Sequence, residues 1–335
     1  AELQKSVNIV MKAVPAKTTM PILECILIDA STNDIKFTSN DMELGIETRV
    51  QGMVLEKGVI ALDAKIFSEI IRKLPDSDVT IETDERLNTT ITCEKAKFNI
   101  PGKSGEDFAY LPLIEKNDCI RVSQFTLKEI IRQTIFSIAL NENNKLMTGE
   151  LFQIEDNRLR VISLDGHRIS IRRVPLQEAC ENRKVVVPGK TLSEISKILS
   201  GELEDMVDIY LSSNHILFEF DDTTVVSRLI EGEYFKIDQM LSSDYETKVK
   251  INKKEFLDCI DRATLLVKEG DKKPIIINIE DGQMELSIDS QIGSMKEDID
   301  IEKEGKDIMI GFNPKFLIDA LKVIDDEEIS IYLMN

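Results

Sequence analysis

The chain has 335 residues, 42% of them apolar and 31% charged, which suits a folded globular protein and excludes wholesale disorder. Its 61 acids outweigh 42 bases, a net charge of −19 that on average repels nucleic acid unless the bases are gathered on one face. No apolar run approaches the roughly 20 residues of a membrane helix. Five scattered cysteines without a CxxC pair point to reduced thiols in a cytoplasm, not to a disulfide framework or a zinc site.

In chain order, the segments Glu2–Val14, Thr126–Ala139 and Lys253–Val267 carry apolar residues at three- and four-residue steps, which predicts three amphipathic helices. Each is followed by two alternating strands around a polar turn, at Leu27–Ser39, Leu151–Ser163 and Ile276–Ile288. A second motif follows each pair: "IALDAKIFSEIIRKL", "VVPGKTLSEISKIL" and "IGFNPKFLIDALKV" all read as a short strand, a turn, and a basic residue opening a helix. Lys65, Lys190 and Lys315 stand 125 residues apart, and so do Arg72, Lys197 and Lys322. A period this steady marks copies of one unit. The expectation is an α+β protein of three repeated domains, 1–118, 119–246 and 247–335, each with two helices on antiparallel sheets. The chain starts on Ala1, and the third repeat stops soon after its second helix. An N-terminus trimmed or not fully represented is therefore expected, with the strands that close the third core absent from this sequence.

Several motifs mimic catalytic ones. Gly189, Lys190 and Thr191 end like a nucleotide-binding loop, but Lys184 stands where its first glycine belongs, and Lys97 does so for Gly102, Lys103 and Ser104. The segment recurs in the other repeats without those residues, so it reads as scaffold, and ATP handling is not supported. "SLDGHR" places Asp165 beside His167 on a favoured turn dipeptide, a poor geometry for a catalytic relay. It reads as a hairpin turn or a binding site. His215 reads as a strand-edge residue. Acidic runs such as Asp325–Glu328 read as solvated faces, and no metal-ligand spacing or cofactor motif is found.

Residues seven apart on a helix share a face, about 10.5 Å along it. Equivalent basic pairs in three repeats, joined by Lys128 and Arg132 and by Lys5 and Lys12, would form one basic lining with the acids turned outward. Such a lining suits a DNA backbone read without sequence preference. A monomeric interaction scaffold with merely solvated basic faces, or an enzyme built on Asp165/His167 or Gly189–Thr191, remain the competing readings.

With these motifs placed, the whole chain closely resembles the bacterial sliding clamp family, the beta subunit of DNA polymerase III. The resemblance rests on "MPIL", "SNDMELGI", "PGKSGEDF", "MTGELF", "LDGHRIS" and "VVPGKTL" in this order. It implies a non-catalytic processivity subunit without cofactor, cytoplasmic and nucleoid-associated, forming a head-to-tail homodimer whose six domains ring double-stranded DNA. By matching position, Lys17, Arg72, Asn141, Lys190 and Lys197 would face DNA. A cleft for short linear motifs would be lined by Leu146, Leu164, Gly166, His167, Arg168, Ile169, Phe235, Gln239 and Met240. Its implied visitors are the replicative polymerase, the clamp loader, repair polymerases and mismatch-repair proteins. Phe235 and Ala109 replace usual prolines, Gln239 replaces a common arginine, and the family's apolar C-terminal tail is missing from this sequence.

Overall fold

The computed structural model describes residues 1–117, 119–141, 143–268 and 273–334. It divides into two compact bodies, Ala1–Gly232 and Glu233–Asn335. The first body holds two repeats. Repeat one runs α1 (Glu2–Val10), β1 (Cys25–Ala30), β2 (Ile35–Asn40), β3 (Leu44–Val50), β4 (Gly58–Asp63), α2 (Ala64–Lys73), β5 (Thr80–Thr83), β6 (Asn88–Cys93) and β7 (Ala96–Ser104). Repeat two runs β8 (Cys119–Ser123), α3 (Gln124–Thr134), β9 (Gly149–Glu155), β10 (Arg158–Leu164), β11 (Ile169–Pro175), β12 (Arg183–Pro188), α4 (Gly189–Ile198), β13 (Met206–Leu211), β14 (His215–Phe220) and β15 (Thr223–Arg228). The two repeats share one antiparallel sheet of order β5-β6-β7-β4-β1-β2-β3-β15-β14-β13-β8, beside a second sheet of order β11-β10-β9-β12.

The seam between these repeats is a strand pair, β3 with β15, in the register Ile46↔Val225 and Thr48↔Thr223. Ile46 and Val225 are fully buried there. The Thr48 and Thr223 hydroxyls lie 2.9 Å apart. Backbone bonds extend the ladder at both ends, Arg228 N to Glu43 O and Arg49 N to Asp222 O, each 2.9 Å. Burying both β-branched side chains while completing every backbone pair makes this seam continuous with the core.

The helices form where the apolar period predicts, and local chemistry fixes their ends. Asp63 caps α2 by accepting from Ile66 N at 2.8 Å, and Ser123 caps α3 from Thr126 N at 3.0 Å. Val7, Val10, Phe67, Ile70, Leu127, Ile131, Leu192 and Ile195 turn inward into one apolar cluster with the sheets. The predicted first helices are longer than the observed α-helices, because α1 and α3 each close into a 3-10 turn, at Met11–Ala13 and Ile135–Ser137.

The second body has its own core. It comprises α5 (Ile237–Met240), β16 (Thr247–Asn252), α6 (Lys253–Thr264), β17 (Ile275–Glu280), β18 (Gln283–Asp289), β19 (Ser294–Asp300), β20 (Glu302–Gly305), β21 (Ile308–Phe312), α7 (Pro314–Lys322) and β22 (Glu328–Leu333). Two sheets, β20-β16-β22 and β19-β18-β17-β21, pack around Phe256, Ile260, Ile277, Leu286 and Leu321. The segment before β16 belongs to this body: Glu246 N donates to Leu333 O at 2.9 Å, and Tyr245 meets Tyr332 edge-on at 4.9 Å.

Candidate nucleic-acid interface

Lys65, Lys190 and Lys315 are each the second residue of their helix, α2, α4 and α7, and all three are exposed. Arg72, Lys197 and Lys322 lie in the last turns of the same helices, where a cation also complements the helix dipole. Lys17 is exposed in the loop after α1, and Asn141 is exposed in the loop after α3.

The acids do not all turn outward. Arg72 donates to the Glu69 carboxylate one turn earlier, and Lys197 donates to Glu194 at 2.8 Å in the equivalent place. Arg132 and Glu129 repeat the arrangement on α3 at 2.5 Å. Lys190 reaches out of its helix to Asp41 Oδ2, 2.5 Å away on the β2–β3 turn of the other repeat. Arg72, Arg132 and Lys197 are thus each paired with a carboxylate three residues earlier on the same helix, where side chains are neighbours, and Lys190 with one from a turn.

Gly189 and Gly102 are packing glycines. A Cβ on Gly189 would stand 2.4 Å from Ile138 Cδ1 and 2.8 Å from Thr148 O, and one on Gly102 would stand 2.9 Å from Leu87 O. The Thr191 hydroxyl is buried against Ser227 Oγ at 2.6 Å, so it cannot serve a metal-bound phosphate. "DGHR" is the β10–β11 turn. The Asp165 carboxylate accepts from His167 N at 3.0 Å, Arg168 N at 3.2 Å and Arg168 Nε at 3.0 Å. Gly166 takes φ +89° there, and Arg168 also donates to Phe136 O at 2.7 Å with its guanidinium over the Phe136 ring. The Asp165 carboxylate therefore shapes this turn. His215 opens β14, with Nδ1 2.8 Å from Asn214 Oδ1.

The residues expected to line a cleft are placed as follows. In the first body, Leu146 sits in the turn before β9 and close to Gly232, Leu164 is buried at the end of β10, and His167 is exposed beside Arg168 and Ile169. In the second body, Phe235 meets the buried Tyr234 edge-on at 5.5 Å, and Gln239 and Met240 are exposed on α5. Leu164 is 3% exposed, so it offers almost no surface of its own.

Sequence patterns of the DNA polymerase III beta subunit match residues 1–112 (N-terminal domain), 121–236 (central domain) and 238–335 (C-terminal domain). The chain belongs to the DNA polymerase III beta subunit family. It is 36% identical to the beta sliding clamp of Staphylococcus aureus over 334 residues, 97% of this chain and 88% of that protein. Its backbone superposes on a candidate DNA polymerase III beta subunit from Eubacterium rectale with a TM-score of 0.98 at 72% identity, covering 100% of this chain and 91% of that one. The sliding clamp of Bacillus subtilis gives 0.96 at 36% identity, with 99% and 90% covered. Family membership makes the chain a non-catalytic DNA sliding clamp of the polymerase, with three clamp repeats in an α+β fold.

Sequence reasoning missed the partner carboxylates Glu69, Glu194 and Asp41. The first two were readable as acids three residues before each conserved-period base. Asp41 was not, because only the fold brings the β2–β3 turn to α4. It also missed Glu150 on β9, which is fully buried. Its carboxyl lies 3.1 Å from Thr134 Oγ1, which is also 2.7 Å from Ile130 O. The Thr134 hydroxyl is shared between the Ile130 carbonyl and Glu150 Oε2, and Glu150 Oε1 has no hydrogen-bond partner among the described residues. Burial accordingly pushes its pKa up to about 8.

Proposed function

We propose that two protomers close head to tail into a ring of six domains threaded by duplex DNA, holding the replicative polymerase on its template in the cytoplasm. Lys17, Arg72, Asn141, Lys190 and Lys197 would face DNA. The seam between the first two repeats carries this reading. There, the third strand after one repeat's first helix pairs with the last strand of the next repeat. Besides β11 at the edge of its own sheet, the strands this rule leaves without a mate include β19, the outer strand of its sheet, and β7, whose residues 96–101 pair only with β6. A second protomer supplies both pairings at once, which closes a cycle with no strand edge left at either joint. Light scattering over a dilution series tests it. A mass near twice 38.0 kDa is the expected result, and a strictly monomeric chain at every concentration contradicts it.

Leu146, Leu164, Gly166, His167, Arg168 and Ile169, together with Phe235, Gln239 and Met240, are proposed to take short linear motifs of the polymerase, the clamp loader, repair polymerases and mismatch-repair proteins. Exposed Met240, half-buried Ile169 and Leu146 offer apolar contacts, and His167 and Arg168 offer polar ones. Met240→Asp leaves the core untouched and places a charge among apolar anchors. It should weaken a polymerase-derived motif peptide about tenfold or more by calorimetry. Unchanged affinity would remove Met240 from the site.

A further inference from the structure

We propose that Glu69, Glu194 and Asp41 hold the DNA-facing bases in internal ion pairs that phosphate must displace, and so set how loosely the ring grips DNA. This rests on the reading of Arg72, Lys190 and Lys197 as DNA-facing. All three bases already have a carboxylate partner: Arg72 has Glu69, Lys197 has Glu194 at 2.8 Å and Lys190 has Asp41 at 2.5 Å. The first two pairs stand at equivalent positions, 125 residues apart, and Asp319 and Lys322 keep the spacing in the third repeat.

Helix stabilisation accounts for a carboxylate three residues before a base. It does not account for Asp41. That residue comes from a different repeat, and its carboxylate is fixed by Glu43 N at 3.0 Å and Leu44 N at 2.7 Å before it takes Lys190. The shared property of the three pairs is electrostatic. A carboxylate within a Debye length of about 8 Å cancels much of the field that a phosphate would feel. The pairs with Arg72 and Lys197 are exposed and therefore easily exchanged, so a phosphate can replace the carboxylate and be replaced by it. Contacts that swap partners at little cost let a protein held topologically move along the duplex, whereas unopposed bases would hold it in place. Such a device also lets a protein of net charge −19 keep bases at its DNA face without making that face strongly basic.

The test measures binding of the full chain to a short fluorescein-labelled linear duplex by anisotropy across a salt series. Glu69→Gln with Glu194→Gln should bind about tenfold more tightly and show a steeper dependence of log affinity on log salt. Glu56→Gln with Glu94→Gln makes the same charge change at two exposed loop positions and should shift affinity by less than about twofold. If the helix variant binds no more tightly than the loop variant, the proposal fails. Arg72→Gln with Lys197→Gln should weaken binding. If instead it leaves affinity unchanged, those bases do not face DNA, and the ring reading falls together with this one.

Discussion

With Lys97→Pro, the native mass falls from near twice 38.0 kDa to 38.0 kDa at concentrations where the parent chain is dimeric. The reason lies in the β6–β7 hairpin. Its loop is the two residues Glu94 and Lys95, so the closing pair Cys93↔Ala96 is hydrogen-bonded, and bonded pairs alternate from there. The N–H groups of Lys97 and Asn99 consequently point away from β6, and Pro101, which has no N–H, falls in the same outward set. β15 is built identically. Its loop is Asp221 and Asp222, its outward residues are Thr224, Val226 and Arg228, and Arg228 N is the group that donates to Glu43 O across the seam. The two sets are 127 residues apart, position for position. Proline at 97 therefore costs the chain no ladder bond of its own but removes a donor from the joint and leaves a carbonyl facing it. At about 2 kcal/mol for each of the two joints, the dimer dissociation constant should rise on the order of a thousandfold. The thermal midpoint measured on the monomer should not move. A variant that stays dimeric would place the joint elsewhere.

Glu150→Gln should stabilise the protein increasingly as the pH rises from 5 to 8. The folded-state pKa of about 8 stands above the unfolded value near 4.5, so the folded state keeps a proton that the unfolded chain has released. The stability contributed by the protonated form is complete below about pH 4.5 and is lost as the pH climbs through the folded pKa near 8. Glutamine is neutral at every pH, keeps an oxygen that can accept from Thr134 Oγ1, and has no proton to lose. The gap between variant and parent should widen by about 1.4 kcal/mol per pH unit across that window and level off above it. Urea titrations at several pH values measure it. A gap that does not change with pH would mean that the carboxyl ionises inside the fold without penalty.

Local patterns were legible in the sequence, and pairings between distant segments were not. The 125-residue spacing of Lys65, Lys190 and Lys315 located the second helix of each repeat, because a base just inside a helix after a short strand is a local pattern that survives in every repeat. "SLDGHR" was legible as a turn for the same reason. Glu150 was not, since all of β9 from Gly149 to Ile154 is buried on both faces, and no polar–apolar alternation marks the odd residue. The seam of β3 and β15 was equally silent, because nothing in either strand names its partner across 175 positions between Thr48 and Thr223. The charge total misled most. Counting acids as outward-facing overlooked Glu69 and Glu194, which sit on the very helices that carry the bases.

The central claim is topological, and the most direct measurement is release of the protein from DNA when the DNA is cut. After loading by a clamp loader onto a nicked circular duplex, the chain should stay bound through gel filtration in salt that abolishes ordinary binding. It should then be lost once a restriction enzyme linearises the circle. Equal retention on circular and linear DNA, or none on the circle, would contradict a ring that encloses the duplex.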